Sequence, residues 1–406
     1  MSLTPVDEAI DRLLSDAVPS SEELIPLHQV NGRILCQDLT SKRTHPPFNA
    51  SAMDGYAVRY EDAVHAGTKL NIIGEAAAGH RFLGTIGAGQ AVRIFTGAPV
   101  PLGADTVVIQ ENVTRLNDTS IQLDQPAKPD AHIRKAGVDF SQGDVLLKTF
   151  RYMDYSAITL TASMNYDQVP VFGRPIVSVL ATGDELVLPG QIPGPDQIIA
   201  SNTFGIMAMA ENSGAEVHDL GIAIDTLDAI KASVQEAIDK GSELLITIGG
   251  ASVGDHDLVQ KALKDMGMEL EFWKIAMRPG KPLMFGKIGK MRVIGLPGNP
   301  ASSLVTASLF VAPLIRKLSG RDVTTKIRKA RCSVALKSND HRQEYMRAHI
   351  VQADDGDLVV TPFLRQDSSL VRVFAQANGL LIRAPNAPEA EIDTFCDVIL
   401  FDNSEF

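Results

Sequence analysis

Cysteine is scarce. The chain has three in 406 residues, Cys36, Cys332 and Cys396, far apart and without a CxxC pair. That excludes a disulfide framework and a cysteine zinc site, and it fits a reducing compartment. Basic charge is also short: 38 Lys and Arg stand against 49 Asp and Glu, a formal charge of −11. The deficit argues against non-specific binding to nucleic acid or to anionic membrane, so an anionic substrate needs a local basic cluster. No apolar run approaches the length needed to span a bilayer. The segment Met1-Ser-Leu-Thr-Pro-Val-Asp-Glu-Ala-Ile-Asp-Arg-Leu-Leu14 has neither a basic start nor an apolar core; it reads as a capped amphipathic helix after Pro5, with the cytoplasm as the expected location. Familiar catalytic signatures are missing as well. There is no GxxxxGK[ST] or GxGxxG, and no HxH or HExxH among the nine histidines, which excludes a P-loop, a dinucleotide fingerprint and the common zinc hydrolases.

What is present is an ordinary globular composition, 45% hydrophobic and 21% charged, in a chain long enough for about two to four domains. Residues 41–139 are rich in Gly, Pro and short β-type runs (Leu70–Gly74, Gln90–Phe95, Thr106–Gln110, Ile121–Leu123), which predicts a small β-rich domain with long loops. Residues 173–320 alternate apolar runs (Ile176–Ala181, Glu216–Ile222, Leu244–Ile248, Leu270–Ile275, Met291–Gly295) with helical stretches (Thr203–Ser213, Thr226–Lys240, Asp257–Met266, Ala301–Leu318). That alternation predicts an open, mostly parallel sheet with helices on both faces. Residues 321–406 begin basic and return to short strands, as a separate β domain. Residues 1–40 and 140–172 are assigned to an N-terminal helix and linker region.

The most informative run is Thr247-Ile-Gly-Gly-Ala-Ser-Val-Gly-Asp-His-Asp257, an apolar strand driven into a glycine-rich turn with a hydroxyl and acids. Glycines at 249, 250 and 254 let the backbone approach a ligand, and successive N–H groups in such a turn suit phosphate, as does the N-terminus of the helix that follows. Asp257 would repel that phosphate unless a cation intervened, and Mg²⁺ is held by one or two carboxylates plus substrate phosphates. A plain strand-to-helix turn capped by Ser or Asp accounts for the same residues equally well. Thr182-Gly-Asp-Glu-Leu186 places acids at a second strand end, and Asp225 at a third, where it would equally serve as a helix N-cap. Lys274, Arg278 and Lys281 cluster around Arg278-Pro-Gly-Lys-Pro282, a stiff loop whose cations suit an oxyanion. Gly295-Leu-Pro-Gly-Asn-Pro-Ala-Ser-Ser303 joins a strand to a helix opened by Pro300, leaving N–H groups for a ligand.

Taken in order, Ser51-Ala-Met-Asp-Gly-Tyr-Ala57, Thr96-Gly-Ala-Pro-Val-Pro101, Arg134 through Gly137 to Asp139, Thr182-Gly-Asp-Glu-Leu186, Gly249 to Asp257, Gly280-Lys-Pro282 and Leu296-Pro-Gly-Asn-Pro300 resemble the MoeA family of molybdopterin molybdenumtransferases, which includes the E domain of gephyrin. The resemblance covers nearly the whole chain. It implies a MogA-like central α/β domain, a β-rich N-terminal domain carrying the SAMDGYA and TGAP loops, and a C-terminal β-barrel-like domain. It also implies a homodimer with active sites between subunits. The implied reaction takes molybdate and adenylylated molybdopterin with Mg²⁺ and gives molybdenum-molybdopterin and AMP.

By position in the family motifs, Asp54, Thr96, Asp139, Glu185, Asp225 and Asp257 match catalytic polar residues, with Asp257 and Glu185 as the magnesium ligands. Gly249, Gly250, Ser252, Gly254, Pro297, Gly298, Asn299, Pro300 and Ser302 match the substrate-binding turns. Lys274, Arg278, Lys281, Arg347 and Ser368 match an oxyanion-binding set. Departures from the pattern are Asn49-Ala50 for Asp-Asn, Ala181 for Ser, Arg278 for Lys, and Gln366-Asp-Ser-Ser-Leu-Val-Arg372 without the usual Gly before its first serine. Implied partners are a molybdopterin adenylyltransferase upstream and molybdoenzyme maturation factors downstream, with no nucleic acid and no membrane. A non-catalytic molybdopterin carrier or gephyrin-like scaffold is the alternative, and retention of all six acid and hydroxyl positions argues against it. An ATP-using adenylyltransferase of the MogA type is disfavoured by the SAMDGYA and TGAP loops.

Overall fold

The computed structural model describes residues 3–250 and 258–401. They form two compact units, one from the described parts of 1–23, 32–36 and 171–406, the other from 24–31 and 37–170.

The first unit is built on a six-stranded sheet in the order Glu216–Ala223, Ile176–Thr182, Leu244–Ile248, Met291–Leu296, Met284–Ile288, Glu269–Trp273. The central strands Ile176–Thr182 and Leu244–Ile248 are buried almost throughout, as expected of apolar runs covered on both faces. Four strands are parallel. The expected strand over Leu270–Ile275 is present as Glu269–Trp273 but runs antiparallel to Met284–Ile288, which makes a hairpin with Met291–Leu296. The sheet is therefore mostly parallel with an antiparallel edge. Gly286 in that edge is forced by packing: a Cβ there would lie 2.5 Å from the Glu269 carbonyl oxygen.

The second strand in the chain lies on one side of Ile176–Thr182 and the third on the other. The strand order thus reverses between Ile176–Thr182 and Leu244–Ile248, and ligands of open parallel sheets gather beyond the carboxyl ends at such a reversal. Those ends are level: Ala181 pairs with Ile248, and Ile248 with Leu296.

The helix expected over Ala301–Leu318 is Pro300–Thr306, a π-helical segment Ala307–Val311 and Ala312–Leu318. Pro313 has no N–H to donate and its ring would crowd the carbonyl a turn earlier, which the wider π turn relieves. This 19-residue stretch, with mean hydropathy 1.3, is long and apolar enough to cross a membrane, contrary to the expectation that no run reaches such a length. Its most apolar window is 78% buried inside the protein, and Phe310, Leu314 and Ile315 join Phe285, Ile294 and the helix Val6–Ser15 in one core.

The C-terminal strands close into a barrel: Gln343–Gln352, Leu358–Pro362, Ile327–Cys332, Phe395–Leu400 and Gly379–Arg383, with Gly379–Arg383 pairing back onto Gln343–Gln352. Ala330, Cys332, Ile350, Val360, Leu381 and Val398 fill it. Met277–Arg278 adds in parallel to Gln343 and Glu344, tying the Arg278–Pro282 loop to the barrel.

The second unit holds a mixed six-stranded sheet in the order Thr106–Ile109, Gly55–Val58, Gln90–Ile94, Lys69–Ala76, Ser120–Leu123, Val113–Asn117. Its apolar alternation serves two faces. Tyr56 and Val58 pack with Leu70, Val108 and Ile121, while Ala57 packs with Val92, Ile94 and Val107. Gly55 admits no side chain, because a Cβ would fall 2.0 Å from the Val108 carbonyl oxygen.

Phe285 is fully buried and its ring centroid lies 5.4 Å from that of Phe272. Phe285→Ala is expected to cost ~3–5 kcal/mol by emptying that volume, read as a lowered denaturant midpoint of the first unit in equilibrium unfolding.

Candidate active site

Three loops leave the level strand ends of the first unit side by side. Their glycines let them touch. Gly249 has φ +94°, and a Cβ there would stand 2.7 Å from the Thr182 carbonyl oxygen; at Gly250, φ +63°, it would collide with Val259 Cγ2 at 2.2 Å. The Gly249 N–H donates to the Leu296 carbonyl at 3.2 Å, and a Cβ on Gly298 would be 3.8 Å from Gly249 Cα. Backbone therefore lines the floor of a pocket of about 350 Å³, whose walls include Thr182, Glu185, Asp225, Val259, Pro297 and Asn299. That volume is within the range of small-molecule sites. Gly249, Gly250, Glu185, Asp225, Pro297, Gly298 and Asn299 from the predicted set are thus brought together. Ser252, Gly254 and Asp257 lie outside the described residues.

One wall is acidic. Asp184 Oδ1 accepts from the Asp225 N–H at 3.0 Å, and Asp225 has its carboxyl pushed above the ordinary range by desolvation, then by the neighbouring charges of Asp184 and Glu185. Like charges crowded in this way call for a cation or a proton. Among the described residues no three His, Cys, Asp or Glu side chains form a ready metal-ligand set. Thr182 adds a buried hydroxyl that has no partner among the described residues. The sequence motif contains Thr182, but nothing in its neighbours distinguishes an orphaned hydroxyl from a satisfied one.

The opposite wall is the start of the helix at Pro300, met by a loop from the barrel. Asn299 Nδ2 donates to Ser368 Oγ at 3.0 Å, the Ala301 N–H donates to the Ser368 carbonyl at 2.9 Å, and Asn202 Nδ2 fixes the Gly298 carbonyl at 2.7 Å. Ser302 is buried one turn in. Because Ser368 Oγ accepts from Asn299, its own O–H is left to donate.

The cations differ in availability. Arg278 forks onto Glu344, with Nε at 2.9 Å and Nη2 at 2.7 Å, and lies 3.6 Å from Asp340, so carboxylates already answer its charge; the Glu344 bond raises its pKa. Lys274 lies over the Trp273 ring, 4.1 Å from its centroid. Lys281 is exposed with no ion pair among the described residues. Arg347 is fully buried on its strand, donates from Nε to Gln366 Oε1 and from Nη1 to the Asp367 carbonyl, and leaves Nη2 without a partner among the described residues. Burial draws its pKa down.

In the second unit, Asp54 and Thr96 meet. Asp54 Oδ1 accepts from both the N–H and the hydroxyl of Thr96 at 2.8 Å, which lowers its pKa. Asn49 Oδ1 accepts from the Ala136 N–H at 2.9 Å, and the Gly137 N–H donates to the Pro46 carbonyl. The loops bearing Asp54, Thr96 and Asp139 are thereby laced together, with Asp139 exposed. Sequence reading overlooks Arg93, which lies 5.1 Å from the Tyr56 ring centroid and 4.8 Å from that of Phe95, and donates to the Gly55 carbonyl.

Comparison with known proteins matches three family models in chain order: the MoeA N-terminal region (domains I and II) over residues 4–165, a probable molybdopterin binding domain over 178–317, and the MoeA C-terminal region (domain IV) over 329–401. The molybdopterin molybdenumtransferase of Haemophilus influenzae is 36% identical, with 93% of each chain covered. That of Bacillus subtilis is 33% identical, covering 93% of this chain and 89% of its own. Among solved structures, the molybdopterin biosynthesis MoeA protein from Pyrococcus horikosii superposes with TM-score 0.86 at 29% identity, over 99% of this chain and 100% of that one. With identity of this order running through all three regions, and the pocket seated at the same motifs, the chain belongs to the MoeA family.

Proposed function

We propose that this protein is a molybdopterin molybdenumtransferase that inserts molybdenum into molybdopterin, using molybdate and the adenylylated form of the pterin and releasing AMP. The observation that carries the reading is the pocket at the strand-order reversal, with glycine backbone beneath it, acids on one wall and hydroxyl and amide donors on the other. The names of the curated relatives agree with it.

The reaction cuts a phosphoanhydride and needs its oxygens held while negative charge builds up. Gly249 and Gly250, whose lack of a Cβ lets their turn pack against Thr182 and Val259, line the pocket with backbone that the phosphates can approach. Ser368 offers its O–H, while Lys281 and the buried Arg347 supply positive charge for the molybdate dianion. The acidic wall fits Mg²⁺, with Glu185 and Asp225 as the described carboxylates and Asp257 assigned to it by motif; when bound, the ion neutralises phosphate charge. A homodimer, with the loops of Asp54, Thr96 and Asp139 serving the other subunit's site, is part of this reading. The three cysteines are free and buried, in keeping with a cytoplasmic enzyme.

The deciding experiment is AMP release from adenylylated molybdopterin with Mg²⁺, with and without molybdate. Molybdate-dependent release is expected, and Glu185→Gln is expected to lower it by about 10²-fold. Tight binding of the pterin with no release would replace the insertase by a carrier or scaffold. Mixing Glu185→Gln with Asp54→Asn subunits is expected to restore activity that neither has alone; no recovery would reject the shared site.

The raised carboxyl of Asp225 gives a second check. A carboxyl raised in the folded state leaves the native protein holding more protons than the unfolded chain, so stability falls as pH rises from the ordinary carboxylate value through the raised one. Asp225→Asn is therefore expected to melt higher than the parent at pH 7, with the gap closing below the ordinary carboxylate range. Thermal unfolding across pH measures it.

A further inference from the structure

Gln366 makes four hydrogen bonds to the strand that carries Arg347 and to the turn beside it. Its Oε1 accepts from the Arg347 backbone N–H at 3.0 Å and from Arg347 Nε at 3.1 Å; its Nε2 donates to the Arg347 carbonyl at 3.0 Å and to the Phe363 carbonyl at 2.8 Å. Every contact that Arg347 makes in this way is to a neutral group. Nη1 donates to the Asp367 carbonyl, and Nη2 has no partner among the described residues. The nearby Asp367 carboxylate makes its hydrogen bonds elsewhere, with Oδ1 accepting from the Ser369 N–H at 2.8 Å and its hydroxyl at 2.6 Å, and acts on Arg347 through space only. Arg347 forms no ion pair among the described residues, although it is fully buried. Buried arginines usually meet a carboxylate, and Arg278 on the neighbouring loop does.

The charge is passed toward the pocket through one peptide. Nη1 bonds the Asp367 carbonyl, and that same peptide unit carries the Ser368 N–H, which makes no bond among the described residues. A cation on the carbonyl polarises the N–H, and the polarised group sits beside the free Ser368 O–H. The adjoining peptide of Ser368 is fixed to Ala301 and its side chain to Asn299, a pocket residue.

We infer that Gln366 is a positioning residue that holds the Arg347 guanidinium with neutral hydrogen-bond partners, so that its charge is not taken up in a direct ion pair and stays available to an oxyanion bound at Ser368. The inference deepens the proposed function and rests on molybdate as the anion. An amide serves here where a carboxylate would not: Glu at 366 would keep the two acceptor contacts but would pair the guanidinium internally.

Gln366→Glu and Gln366→Met separate charge from mere support. Both lose the Nε2 bonds to the two carbonyls; Gln366→Met also loses the two Oε1 contacts, and only Gln366→Glu adds a negative charge. Binding of inorganic molybdate to the full chain is measured by calorimetry, with thermal unfolding checking that both variants are folded. The expected result is weaker binding in both variants, with the loss at least ~10-fold greater for Gln366→Glu than for Gln366→Met. In the AMP assay the same variant should raise the KM for molybdate while kcat at saturation is largely kept. Equal losses in the two variants, an unchanged Gln366→Glu, or a parent chain that binds no molybdate would overturn the inference. A parent that binds molybdate with this charge dependence but releases no AMP would reject the insertase reading and leave this one standing.

Discussion

The site depends on the close approach of two backbone turns at Gly249 and Gly250. There the chain leaves the third strand with positive φ and passes so near Thr182 and Val259 that no side chain fits. Everything around the pocket is arranged by that approach. It brings the acidic turn after Ile176–Thr182 alongside the Leu296–Pro300 turn, and it is sustained by strands whose ends are level because their register is fixed by burial on both faces. A sheet with a one-residue slip would separate Thr182 from Gly249 and open the pocket floor.

Much of this was legible in the sequence. The parallel strands could be read because buried strands are continuous apolar runs, and the pocket because glycine turns follow three of them. The antiparallel edge was less visible. Met284–Ile288 contains Gly286 and is separated from Met291–Leu296 by only Gly289 and Lys290. A run so short and so closely followed by another reads as one segment, and only the packing against Glu269 explains the glycine. The helical stretch Ala301–Leu318 was legible as a single run, but neither the π turn before Pro313 nor a length and apolarity sufficient to cross a membrane was read from it.

Side-chain availability is the layer that sequence does not carry. Arg278, Lys281 and Arg347 look alike as basic residues matching one oxyanion set. In the structure Arg278 is answered by Glu344 and Asp340, Lys281 is open, and Arg347 is buried among neutral groups. The difference lies in residues more than sixty positions away from Arg278 and in the amide at 366, and no local pattern encodes either. The same applies to Asp225. An N-cap and a strained site acid have the same sequence context, and Thr226 is the residue whose side chain caps the helix Leu227–Asp239, which leaves Asp225 to the pocket.

The arrangement of charge has a physical logic. A dianion and a phosphoanhydride repel each other, so a pocket that held both with cations alone would bind them tightly at the start and gain little as the reaction proceeds. Here positive charge and acid stand on different walls. The barrel side presents a guanidinium with no direct ion pair among the described residues, bonded to the Asp367–Ser368 peptide, and the sheet side presents carboxylates where desolvation and then mutual repulsion raise Asp225. A divalent cation on the acidic wall would relieve that repulsion and attract phosphate at once, whereas the guanidinium holds its charge at any physiological pH. The wall that titrates and the wall that does not are therefore able to respond separately, and pH should alter the acidic wall before it alters the barrel side.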